Sequence, residues 1–236
     1  MRDKSPICYE YIFKFTDGEQ KSFKAELDYE TLELINTNRN NSEETDWLKL
    51  SYFKCPNCTL KADEHRNCPV AESLNDIIKF FGQYYSTEQV EVTVVSENRD
   101  YFKKTSLQRG ISSLMGIYTV TSGCPILAKL KPMVRYHLPF ASMEETMYRG
   151  LSMYLVDQFY RLKEEKSVDW SLTGLAELYN NVHICNETFF QRLKNAASKD
   201  ANLNALIILD TFASFIHLSV DDERIRRYKK IFMTQD

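Results

Sequence analysis

Gln89–Ser96 reads QVEVTVVS, with Val90, Val92 and Val94 on alternate positions. β-Branched residues at every second place give a pleated backbone one apolar side, the mark of a half-buried strand. Upstream, Tyr9, Tyr11, Phe13 and Phe15 repeat with the same period, and Asp17-Gly18 offers a tight turn before residues 22–27. This predicts a β-hairpin. Residues 37–45 (TNRNNSEET) are polar and aperiodic, a loop or insertion, and 47–53 reads as another short strand. Together these predict a small antiparallel sheet. After a compact stretch, 55–68, bounded by Pro56 and Pro69, the residues Val70, Leu74, Ile77, Ile78 and Phe81 recur at helical spacing. The helix they predict should pack on the sheet.

Beyond Arg99 the pattern becomes helical. Thr105-Ser106-Leu107-Gln108 has the capping-box form and predicts a helix towards Thr121; Ser142 with Glu145 repeats the device. Met143, Met147, Leu151, Tyr154, Leu155, Phe159 and Leu162 then make a long apolar stripe. Further helices are predicted over 171–179, 186–197, 200–218 and 221–232. The 200–218 segment is apolar around most of its circumference, so it should be the central helix of a bundle, with partners needed for Asn202, Asn204 and Asp210. Neither an internal repeat nor a Pro- or Gly-rich linker interrupts the chain. The expectation is a single α+β domain over 1–236: a small N-terminal antiparallel sheet with its cysteine loop (1–98) packed on a C-terminal helical bundle (99–236).

Composition narrows the function. Of 236 residues, 43% are hydrophobic and 27% charged, with only 7 Gly and 6 Pro, which excludes collagen-like, low-complexity and disordered chains. A net charge of -3 removes the electrostatic case for a general nucleic-acid or anionic-membrane binder. The polar start Met1 to Pro6 lacks a signal-peptide core, so a cytoplasmic location with an unknown protein partner is expected. Six cysteines are too sparse for a disulfide scaffold, and a reducing compartment leaves them free for metal or chemistry.

Cys55-Pro56-Asn57-Cys58 is a Cys-x2-Cys pair, followed by His65 and Cys68. Such a turn presents two sulfurs to one tetrahedral centre. Cys55, Cys58 and Cys68 therefore predict a metal site, with structural zinc ahead of an iron–sulfur cluster, completed by Cys124 or by His65. Two other readings stand beside it: three small buried hydrophobes, or a thiol redox pair. Cys124, after Gly123 and before Pro125, could instead be an activated thiolate with His137 as base, an enzyme of unknown substrate. A satisfied core histidine is the plainer account of His137. Glu144 and Glu145 suit a helix N-terminus without a catalytic role, and the basic stretch 223–230 suits a solvated helix face. Phosphate-cradling glycine loops, zinc-protease helices and nucleophile elbows are absent from the sequence.

Taken as a set, CPNC at 55–58, CPVA at 68–71, SGCP at 122–125, HLPF at 137–140, Glu145-Thr146 and DANLNA at 200–205 resemble a bacterial family catalogued as a domain of unknown function. The resemblance covers nearly the whole chain. It implies a bacterial protein and one full-length unit, and it brings no substrate, cofactor or catalytic residue.

The favoured expectation is thus a cytoplasmic interaction or regulatory module pinned by zinc; a metal-assisted or Cys/His enzyme and a thiol redox sensor are the alternatives.

Overall fold

The computed structural model describes residues 5–35, 45–194 and 199–219. The first hairpin joins β1 (Ile7–Phe15) to β2 (Gln20–Leu27), with Gly18 at φ +94° in the turn, a value that glycine adopts without strain. β3 (Gln89–Ser96) pairs with β1, and β4 (Asp100–Ser106) pairs with β3. The sheet is antiparallel throughout, in the order β2-β1-β3-β4. Tyr11 stands opposite Phe23 on one side and Val94 on the other, so the alternating apolar rows fall on one face. On the opposite face Glu91 meets Lys14 and Lys104 at 3.8 and 2.7 Å.

α1 (Pro69–Phe81) and α2 (Leu107–Thr121) supply helical partners for the apolar face. The Phe13 and Phe81 rings meet at 4.9 Å, and Gly110 of α2 brings its backbone against Phe13 and Val92. The short helical turns Leu127–Leu130 and α3 (Pro132–Arg135) lead to α4 (Met143–Lys163), whose capping box has both arms formed between Ser142 and Glu145. α5 (Thr173–Lys194) and α6 (Ala201–Ser219) complete the described helices. α6 packs along α5 and α2, and its polar side chains find partners except at Asn202 Oδ1, which is buried without one among the described residues. Asn202 donates to the Ile78 carbonyl at 3.0 Å, Asn204 to Asp200 at 2.8 Å, and Asp210 lies 2.8 Å from His183 Nδ1. By length and composition α6 is also the one described helix able to cross a membrane. A single hydrophobic cluster runs from Ile7 in β1 to Ile216 in α6.

Several expectations need correction. Residues 47–53 form no strand: Asp46–Leu48 is a 3-10 turn, and one bridge, Lys49 to Asn67, is all the pairing there. β4 went unread because it is an edge strand with a single buried residue, Thr105, and hence no apolar row. α2 begins at Leu107, and Ser106 caps it without a side-chain bond, so the capping box read at Thr105 does not form. The helices predicted over 171–179 and 186–197 are one continuous α5, because Val182 and Cys185 carry the buried face across the gap. The stripe on α4 is buried only at its start: Phe159 is 49% and Leu162 53% exposed. The loop read at 37–45, apart from Thr45, and the helix and basic stretch read beyond 220 lie outside the described residues.

Candidate functional site

Five of the six cysteines, Cys55, Cys58, Cys68, Cys124 and Cys185, line one pocket with about 30 Å³ of free space. The Cys-x2-Cys turn is closed by the Cys58 N–H donating to the Cys55 carbonyl at 3.0 Å. Asn57 within it grips α5: its Nδ2 donates to the carbonyl and to Oδ1 of Asn181, both at 3.0 Å, and its Oδ1 accepts from Cys185 Sγ at 3.5 Å. Asn181 and Cys185 are one helical turn apart, so one loop residue reads one face of α5. Cys68 is the N-cap of α1, held by its N–H on the Leu48 carbonyl at 2.8 Å. Cys124 follows Gly123 at φ +95°, and its carbonyl opens the next turn by accepting the Ala128 N–H at 2.9 Å. Four separate stretches of chain thus converge.

Cys185 is the hub. Its single S–H can serve one neighbour at a time; as donor to Cys55 or to Cys124 it is the largest influence lowering that thiol, against the opposing effect of burial. Backbone N–H groups of Leu127 and Ile126 add to this at Cys124; Thr188 and Arg192 add to it at Cys55. Contacts with Cys124 and Cys55 in turn hold Cys185 far above that range, so its proton is the one retained. Burial raises Cys68 more than Arg192 and two helix N–H groups lower it.

Arg192 sits beside these sulfurs and is 2% exposed. It donates to the carbonyls of Trp47, Lys49 and Phe53, and its guanidinium lies 5.7 Å from the Tyr52 ring. Burial lowers its pKa, while Cys68, Cys55, Tyr52 and Cys58 raise it. A guanidinium out of water is stabilised by a neighbouring anion, and a thiolate in this pocket is placed to supply one. Among the described residues no group of three or more His, Cys, Asp or Glu side chains is arranged to hold a metal ion. Cys185 interacts with Cys55 and Cys124, and Cys124 also acts on Cys55 and Cys68.

His65 is exposed on the loop and does not line the pocket. His137 lines a different, larger cavity of about 570 Å³ that Cys124 does not line, and among the described residues no hydrogen bond joins the two. There, His137 Nε2 lies 2.6 Å from Tyr11 Oη, which lies 2.7 Å from Ser113 Oγ. Part of the residue still faces the cavity, yet its ring is enclosed: burial, helped by Arg149, pushes it down to about 3. Burial raises Tyr11 well above the usual phenol range. Both are therefore neutral at pH 7.

Residues 7–233 match the family described as a domain of unknown function (DUF6901). The chain belongs to that family. No curated protein and no solved structure matches it. Within this DUF6901 chain both the thiol pocket and the cavity lie inside the matched span.

Reading the sequence missed Cys185 and Arg192, because neither belongs to a cysteine motif. A signal exists once α5 is taken as continuous: Asn181, Cys185, Thr188 and Arg192 recur at helical spacing and form one polar, sulfur-bearing face.

Proposed function

We propose that this chain is a thiol-based redox regulator, acting through Cys185 with Cys124 or Cys55. The observation that carries the reading is the convergence of five thiols on one pocket, in which Cys185 can share its proton with Cys124 or Cys55 and lower that partner, beside a buried guanidinium. The lowered pKa makes Cys124 the attacking group towards a hydroperoxide. Its sulfur takes the terminal oxygen, the O–O bond breaks, and the alcohol leaves as the alkoxide picks up a proton from solvent. Cys185 sulfur then displaces hydroxide from the sulfenic acid; the Cys185 proton leaves with it as water, and a Cys124–Cys185 disulfide remains. Two sulfurs have lost two electrons to one peroxide. A reducing compartment would return the pair to dithiol.

Structural zinc through Cys55, Cys58, Cys68 and Cys124 is the second reading, favoured by their convergence on one space of about 30 Å³. The thiols as they stand form no metal-binding group among the described residues, so an ion would have to draw them together, and folding would then depend on it.

Fresh protein is analysed for metal, then treated with one equivalent of hydrogen peroxide and mapped by mass spectrometry. The redox reading expects metal-free protein, loss of two thiols and a disulfide to Cys185; Cys185→Ser should instead accumulate a trappable sulfenic acid. About one zinc per chain, lost in Cys68→Ser, with thiols inert until chelation, replaces it with the zinc module. Metal-free protein whose five thiols all resist peroxide overturns both.

A further inference from the structure

The 570 Å³ cavity stands apart from the thiol chemistry and is of a size that takes up small ligands. Its walls are largely apolar, with Leu130, Met133 and Leu138 on one side and Ile208, Leu209 and Phe212 of α6 on the other. Three cations, Lys103, Arg109 and Arg149, also line it; among the described residues no Asp or Glu does. Arg149 is held in place by Nη2, which donates to the carbonyls of Met133 and Tyr136 at 2.5 and 3.1 Å. A guanidinium carries five N–H donors, so the fork is oriented with donor capacity to spare. Lys103 Nζ lies 5.8 Å over the Phe140 ring. Glu145, a carboxylate close enough to feel both Lys103 and Arg149, is itself engaged by the Ser142 N–H at 2.7 Å. The polar floor of His137 and Ser113 is neutral and satisfied by Tyr11. Positive charge at an apolar cavity, without a competing anion in its lining, selects a ligand with the opposite charge and a greasy body.

We propose that this cavity binds a free alkyl carboxylate, its chain lying between α2 and α6 and its head paired with Arg149 and Lys103. A planar carboxylate suits a fixed guanidinium because two parallel N–H···O bonds can form.

The test is isothermal titration of the full-length, reduced protein with octanoate, decanoate and dodecanoate below their micelle concentrations, and with dodecanol. Affinity should rise about fourfold per added methylene and fall at least about tenfold when dodecanol replaces dodecanoate. Lys103→Met should weaken dodecanoate about fivefold. Leu138→Trp, which fills space and removes no hydrogen bond, should abolish binding with the far-UV circular dichroism unchanged. Arg149→Met should do the same, but it also strips two carbonyls of their donor, so the first two variants carry the test. Equal affinity for alcohol and carboxylate, no dependence on chain length, or full binding by Leu138→Trp overturns the proposal. So does retention on phosphatidylglycerol vesicles without dodecanoate binding, which would assign the cations to a membrane surface.

Discussion

The thiol pocket and the large cavity share Thr119, Leu127 and Asn186 as a common wall, yet they treat buried ionisable groups in opposite ways. In the cavity burial dominates: His137 loses its charge, Tyr11 keeps its proton, and the two pair as neutral partners. In the thiol pocket burial works in the same direction on Cys55 and Cys124, but the Cys185 thiol opposes it, helped by backbone N–H groups at Cys124 and by Thr188 and Arg192 at Cys55. The contrast teaches that depth alone does not make a reactive group. What decides is whether hydrogen-bond donors or an opposite charge stand beside the ionised form. The cavity offers space without reactive charge, and the pocket offers reactive charge with almost no space.

The severest way to break this contrast is to remove the buried cation. Arg192→Met leaves the carbonyls of Trp47, Lys49 and Phe53 without their donor and should cost about 4 kcal/mol in urea unfolding. It should also slow alkylation of Cys55 at pH 7, because Arg192 helps to lower that thiol. An unchanged unfolding midpoint would mean the guanidinium is not integral to the pocket.

A pH titration of stability tests the cavity side. His137 titrates at about 3 when folded, below the ordinary histidine value near 6.5 of the unfolded chain, so between these limits the unfolded state holds the extra proton. Stability is therefore complete above about pH 6.5 and lost as pH falls towards 3, by up to about 1.4 kcal/mol per pH unit. His137→Asn should flatten that part of the profile, and a slope unaltered by the variant would place the proton uptake elsewhere.

Two smaller changes sharpen the boundary between the regions. A Cβ on Gly110 would lie 2.8 Å from Phe13 Cε1 and 3.0 Å from Val92 Cγ2, so Gly110→Ala should cost about 2 kcal/mol while peroxide sensitivity is unaltered. Ser142→Ala removes one arm of the α4 capping box, beside the cavity, and should cost about 1 kcal/mol. Its thiol alkylation rates should match the parent; a change in them would show that the common wall transmits strain.

Much of the fold was legible because the signals are local. Alternation marked β1 and β3, Asp17-Gly18 marked the hairpin turn, and Ser142 with Glu145 marked the start of α4. β4 was not, since an edge strand buries too little to impose a pattern. The outer half of α4 misled for the converse reason: apolar spacing at Leu155, Phe159 and Leu162 is the same whether a partner covers that face or not. Cys55, Cys58, Cys68 and Cys124 could be grouped from motifs, and all four line the pocket; pairing Cys124 with His137 could not be judged from their order in the chain.

The order of residues alone determined the α+β class, the hairpin, most helix starts and the family, because each rests on short-range periodicity or on a motif carried whole. Only the tertiary structure decided that Cys185 is the shared thiol, that Arg192 supplies the buried charge, and that His137 faces a cavity away from Cys124. The first two depend on α5 docking against a loop more than a hundred residues earlier through Asn57, and the third on His137 meeting Tyr11 of β1. Proximity of that kind arises from burying one common core, and no spacing along the chain encodes it.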